Sequence, residues 1–199
     1  MISPAQYASN PEALKVGDVI VGKNASKAAA ITTKDGRVLT LKFGSAQSPL
    51  HAPFGLSSWG DTPTDRVSLD LRATPEIEAC VTAIDAAIVN YIEANCKRYF
   101  GNSMKAEKVR EYFRPTLKTN ESGKYDPLVK CKLSKSKVKV WGPNKEPASA
   151  DDIRPHSEVS VVLTVRSVYF QSMGWGVTLE CQHVGLANSI AECPFTDED

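Results

Sequence analysis

Residues Glu158 to Phe170 and Trp175 to Val184 alternate apolar and polar side chains with few breaks, and Ser172-Met173-Gly174 stands between them. Period two is that of a strand with one face buried, so Val159, Val161, Leu163 and Val165 belong to one side of a sheet. In the second strand Val177, Leu179 and Cys181 take one side, and Thr178, Glu180 and Gln182 the other. This is the strongest strand pair in the chain, and it makes a sheet with a tight turn the basis of the fold.

Further strands are predicted at Asp18 to Gly22, Ala28 to Thr33, Arg37 to Phe43, Arg66 to Leu71, Leu128 to Leu133 and Val138 to Trp141. Asp35-Gly36 reads as a hairpin turn between the second and third of these. Pro49 to Pro63 is too rich in proline and glycine for regular structure and reads as a long loop in which Phe54 and Trp59 need shelter or a ligand.

Between the strand groups stands one well-marked helix. Thr74 is a suitable N-cap, Pro75 fits the first helical position, and Ile77, Val81, Ile84, Ile88, Tyr91 and Ile92 recur at steps of three and four through about Tyr99. Gly101-Asn102 closes it, and Ser103 is placed to cap a shorter helix through Ala106, Val109 and Tyr112.

Strands, helix, strands is not the alternation of a doubly wound nucleotide fold. The reading is a mainly β chain with α, an OB-like Greek-key barrel with a long helical insertion at about 75–113. All 199 residues form one domain, with a mobile acidic tail at 194–199. Five scattered cysteines argue for reduced thiols, and no apolar run approaches the roughly 18 to 20 residues of a membrane span. With no basic, apolar leader at its start, an intracellular protein is expected.

A net charge of +1 conceals a strong asymmetry. Lys105 to Lys145 holds twelve basic residues and four acids, whereas the chain after Lys145 holds two basic residues and nine acids. Within the basic stretch Lys130 and Lys132, then Lys135, Lys137 and Lys139, recur every second residue, which in strands places the ammonium groups on one face. Trp141 shares the parity of the last three. A solvated edge strand gives the same alternation, since edge lysines deter aggregation. Solvated surfaces, however, mix signs, as the first hundred residues do. A track for phosphates therefore accounts better for the excess, with Arg110, Arg114, Lys118 and Lys124 upstream and with Tyr125 and Trp141 positioned to stack bases. Tyr112, Phe113, Tyr169 and Trp175 are left open between core and ligand.

Catalytic patterns are missing: the sequence has no nucleophile elbow, no phosphate-binding Gly-Lys-Ser/Thr loop and no acidic cluster for paired metals. No catalytic residue, metal or cofactor is assigned. The terminal Phe195, Asp197, Glu198 and Asp199 form an acidic segment that could occupy a basic groove or dock on basic partner proteins.

Read in order, Tyr112-Phe113-Arg114-Pro115, Gly123-Lys124-Tyr125-Asp126-Pro127-Leu128-Val129-Lys130-Cys131-Lys132-Leu133, and Val159 to Phe170 with Gly174-Trp175-Gly176 running to Gln182-His183-Val184 resemble the OB-fold single-stranded-DNA-binding proteins of large DNA viruses and phages. The resemblance covers roughly the second half. It implies a replication-associated protein that coats single-stranded DNA without sequence preference, with Lys124, Tyr125, Lys130 and Lys132 at the track. It also implies that the acidic tail recruits replication proteins. RNA binding, or an assembly role in which the +8 and −7 regions join copies into an oligomer, are the other readings of the same charges.

Overall fold

The alternating segments form the longest element of the fold, a hairpin of strands β12 (Ser157–Gln171) and β13 (Gly174–Leu186). It is seen in a computed structural model that describes residues 3–11, 13–22, 25–58, 64–101, 105–120 and 123–187. The ladder slips twice, leaving Gln182 extra on β13 and Arg166 extra on β12. Each bulge bends and twists the ribbon, which lets it curl rather than lie flat.

Upstream lie helix α1 (Pro4–Ser9) and strands β1 (Leu14–Val21), β2 (Lys27–Thr33), β3 (Thr40–Phe43), β4 (Leu50–Ala52), β5 (Leu56–Ser57) and β6 (Arg66–Arg72). Next come helices α2 (Pro75–Ala94) and α3 (Cys96–Phe100), and then β7 (Phe113–Arg114), β8 (Leu117–Lys118), β9 (Leu128–Ser134), β10 (Lys139–Trp141) and β11 (Pro147–Ala148). The free edge of β12 takes β4, β3 and β2 in turn, all antiparallel. The free edge of β13 takes β7, β9 and β10 in turn, all parallel.

Closure depends on eight residues. Leu50–Ala52 pairs with β12, the chain turns at Pro53-Phe54-Gly55, and Leu56–Ser57 pairs with β6. Because β6 pairs along its whole length with β9 and β9 pairs with β13, the ladder returns to β12 as a closed barrel of the expected OB-like kind. The turn requires glycine: Gly55 has φ of +60°, and a Cβ there would lie 2.6 Å from the carbonyl carbon of Arg154.

Helix α2 begins as its sequence predicts, with the Thr74 hydroxyl accepting from Ile77 N at 3.4 Å and Pro75 at the first position. Ile77, Val81, Ile84, Ile88 and Ile92 are buried, and a break at Asn95 separates α2 from α3. From α3 the Tyr99 hydroxyl donates to Val16 O at 2.7 Å and Arg98 pairs with Asp18 at 2.6 Å, covering the outer side of edge strand β1. Near the hairpin tip Trp175 is 1% exposed and donates its indole N–H to Val109 O at 2.9 Å. Phe113 lies 4.8 Å from the Trp175 ring, and Phe100 touches both Trp175 and Phe170. Trp175 is thus a core residue, because β13 turns its odd-numbered side chains inward at this end, and Phe113, partly buried on β7, packs against the core.

Several expectations are corrected. Strands β2 and β3 do not pair with each other across Asp35-Gly36; each adds to a different stretch of β12. The predicted long loop contains β4 and β5, because short strands within a proline-rich segment give too little periodicity to read. Among the described residues the shorter helix is a single 3-10 turn at Ala106–Lys108. The Ser103 cap, Trp59 and the tail residues Phe195, Asp197, Glu198 and Asp199 lie outside the described residues.

Candidate nucleic-acid interface

The lysine alternation divides into three parts. Lys130 and Lys132 do share the outer face of β9, with Val129, Cys131 and Leu133 buried behind them. Lys135 and Lys137 stand in the turn after β9, so they do not extend a ladder, and Lys135 pairs with Asp151 at 2.5 Å. Strand resumes only at β10, where Lys139 and Trp141 point outward around buried Val140. A chain reversal through Ser134-Lys135-Ser136-Lys137 preserves the period in the sequence while breaking it in space. Asp65 holds this turn by accepting from Ser136 N at 2.7 Å and from the Ser134 hydroxyl.

Two clefts open on the outer face along β13. The first, about 260 Å³, is lined by Arg114 and Lys118 from the β7–β8 corner, Lys130 and Lys132 from β9, Tyr169 from β12, and Thr178. Two of its cations are held by carbonyls: Arg114 donates to Met173 O at 2.9 Å and Lys118 to Pro115 O at 2.8 Å. These bonds fix geometry without neutralising charge. Lys130 has a carboxylate at 3.4 Å, that of Asp70, and Lys132 lies beside Glu180 in the β9–β13 register. Burial depresses the Lys118 ammonium, the Asp85 charge acts in the opposite sense, and Arg114 and Lys130 nearby depress it further.

Tyr169 crosses from β12 toward β13, and Gly176 makes room for it. A Cβ on Gly176 would lie 2.7 Å from the Tyr169 hydroxyl oxygen. Partial burial raises the phenol above its usual range, with Arg114 acting in the opposite sense, so Tyr169 stays neutral and presents a half-buried ring to the cations. Behind this cleft the Asp85 carboxylate of α2 accepts from Thr116 N at 2.8 Å and from the Thr116 hydroxyl at 2.6 Å. Burial pushes Asp85 up to about 6 despite these bonds.

The second cleft, about 270 Å³, is lined by Trp141, His183, Gly185, Ser160, Val162 and Lys42. Trp141 is 38% exposed and pairs in register with Gly185, where a Cβ would meet Ser160 Oγ at 2.8 Å. Absence of that Cβ keeps the floor beside the indole low. Lys139 is next to His183. From Leu179 to Gly185 the clefts are separated by about 20 Å of β13, at roughly 3.3 Å per residue. The Arg166–Glu180 pair, at 3.3 Å, involves a β13 residue on this stretch.

Of the predicted site residues, Arg114, Lys130 and Lys132 meet in the first cleft and Trp141 lines the second. Tyr125 is 63% exposed ahead of β9, with the Lys124 ammonium 5.5 Å from its ring centroid, and neither residue lines either of these two clefts. Lys118, one cation of the basic stretch, and Tyr169, left open in the sequence, are brought to the first cleft by the fold, and Lys42 and His183 to the second. Tyr169 had a signal: in Tyr169-Phe170 one ring faces out while its neighbour faces in. Lys42 and His183 had none, because what places them beside Trp141 is the addition of β3 to β12 and of β10 to β13.

No protein-family model and no curated protein matches the chain. Among solved structures, the single-stranded DNA-binding protein from bacteriophage Enc34, in complex with single-stranded DNA, is similar at 14% identity. That alignment covers 86% of this chain and 94% of that one, with a TM-score of 0.45. The single-stranded DNA-binding protein encoded by bacteriophage T7 is similar at 17% identity over 75% of this chain and 86% of that one, with a TM-score of 0.43.

Proposed function

We propose that the chain binds single-stranded DNA without sequence preference, through the outer face of β9, β10, β12 and β13, in DNA replication, recombination or repair. One observation carries the reading: four cations converge on one cleft, and two of them are fixed by carbonyl oxygens rather than by carboxylates. Such charges are pre-positioned without a carboxylate in direct contact, which suits a polyanion. Two rings on the same face, Tyr169 and Trp141, supply stacking that any base satisfies. The role is non-catalytic binding, with Lys139 contributing charge near Trp141 and the acidic tail recruiting replication proteins.

The test is a fluorescence titration with oligo-dT, oligo-U and duplex DNA over a salt series. If four phosphates are engaged, the logarithm of affinity falls against log salt with a slope of about −3. Oligo-dT is expected to bind more tightly than duplex, and the oligo-U arm reads the preference for DNA over RNA. A salt-insensitive interaction, or one that prefers duplex, overturns the proposal. Sizing the nucleic-acid-free protein at low and high salt tests self-assembly through the oppositely charged regions.

A further inference from the structure

Asp85 is 7% exposed on the inner face of α2, directly behind the cation cleft, and forms no ion pair among the described residues. Its two oxygens are occupied by one residue, Thr116, which stands between Arg114 and Lys118. These bonds fasten the cationic corner to the helix. The groups facing the carboxylate are Lys118 from the β7–β8 corner and, more distantly, the Tyr169 phenol from β12; Arg114 and Lys130 crowd Lys118 from its other sides. A buried carboxylate without an ion-pair partner is costly to keep ionised, and the Thr116 bonds and the Lys118 charge offset only part of that cost.

We propose that Asp85 is a positioning residue whose charge sets the phosphate affinity of the cation cleft, so that binding of a single strand is coupled to uptake of a proton at its carboxyl group. The inference rests on the nucleic-acid reading given above. When ionised, Asp85 holds Thr116 by two charge-assisted bonds, offsets Lys118 and repels an incoming phosphate. When protonated, it still accepts from Thr116 N, while its O–H donates to the Thr116 hydroxyl oxygen in a reversed bond. The corner stays fastened and the counter-charge is gone. Burial already holds the group near 6, so ordinary pH changes reach it. Phosphates arriving overhead favour the neutral acid further, and by linkage affinity rises as pH falls.

The experiment is oligo-dT titration of the full chain from pH 5 to 8 at constant ionic strength, with Asp85→Asn, Thr116→Val and His183→Gln alongside. Wild type is expected to bind about three- to tenfold more tightly at pH 5.5 than at 7.5, with the step near pH 6 to 7. Asp85→Asn, which carries the neutral form permanently, is expected to bind tightly with a flat profile. Thr116→Val removes a hydroxyl that favours the ionised form, so its step moves to higher pH. A step that disappears in His183→Gln has the second cleft as its source and overturns the inference. A step that survives in Asp85→Asn, or that Thr116→Val leaves in place, overturns the inference. Binding with a flat wild-type profile sinks this inference alone, whereas absence of binding at every pH and salt takes the nucleic-acid reading down with it.

Discussion

Trp175 and Trp141 flank opposite ends of β13 and have opposite roles. Trp175, on the strand itself, turns inward, packs against Phe113 and Phe100, and donates its indole N–H to Val109 O. Trp141, on the strand added in parallel at the far end, turns outward beside Gly185 and retains 38% of its surface. Their chemistry is the same, and strand parity separates a buried ring from an outward-facing one. The two clefts differ in the same manner: one gathers cations around a half-buried tyrosine, while the other offers a large ring with lysine and histidine at its margin.

Exchanging each ring for alanine tests the contrast most directly. Trp175→Ala is expected to lower stability by about 3–5 kcal/mol, as large buried aromatics do, measured by denaturant unfolding. Trp141→Ala leaves stability nearly unchanged and weakens oligo-dT binding by about 1–3 kcal/mol. Equal losses of stability in both variants would erase the distinction.

The cation cleft is tested by reversing charge. Lys130→Glu with Lys132→Glu is expected to reduce oligo-dT affinity on the order of 100-fold near 0.1 M salt and to flatten the salt slope by about 1.4, two contacts at 0.7 each. Lys130 pairs with the buried Asp70 and Lys132 lies beside Glu180, so unfolding curves are taken alongside to separate lost binding from lost stability. A double variant that binds normally moves the track elsewhere.

Asp85 links this cleft to the helix, and its effect on stability has a definite sign. The folded group sits near 6 against an ordinary 3.8, so between those values the native state holds the proton more tightly than the unfolded chain does. Through this group alone, stability is highest at the acid end, falls by about 2–3 kcal/mol as pH rises from 4 to 6, and is level above that. Asp85→Asn should remove that slope from a pH series of unfolding curves.

The two ends of the molecule were not equally legible in the sequence. The β12–β13 hairpin is readable because period-two alternation runs through more than twenty residues, and α2 because its cap, proline and apolar stripe agree. The barrel's closure at Leu50–Ser57 is hidden: two short strands around Gly55 acquire their partners from residues on β12 and on β6. Asp85 looks like a polar break in an apolar helix until Thr116 is found against it. The site was half legible for the same reason. Arg114, Lys118, Lys130, Lys132 and Trp141 carry local signals of charge or parity and Tyr169 stands in an alternating strand, whereas Lys42 and His183 reach the second cleft only through which strand adds to which edge.

The smallest effect is expected where the charge pattern was most suggestive. Lys135 and Lys137 complete the alternation in the sequence, yet they occupy a turn, and Lys135 already has Asp151 as a partner. Replacing both by alanine removes exposed charge at the end of β9, where screening by salt is strong. Oligo-dT affinity should fall less than about threefold at 0.1 M salt, and the salt slope should change by less than that of a single Lys132→Ala variant. If the turn lysines instead matched Lys130 and Lys132 in slope, the strand would have to leave the cleft by way of the β9–β10 turn on its way to Trp141. The contrast between two clefts joined along β13 would then give way to one continuous track.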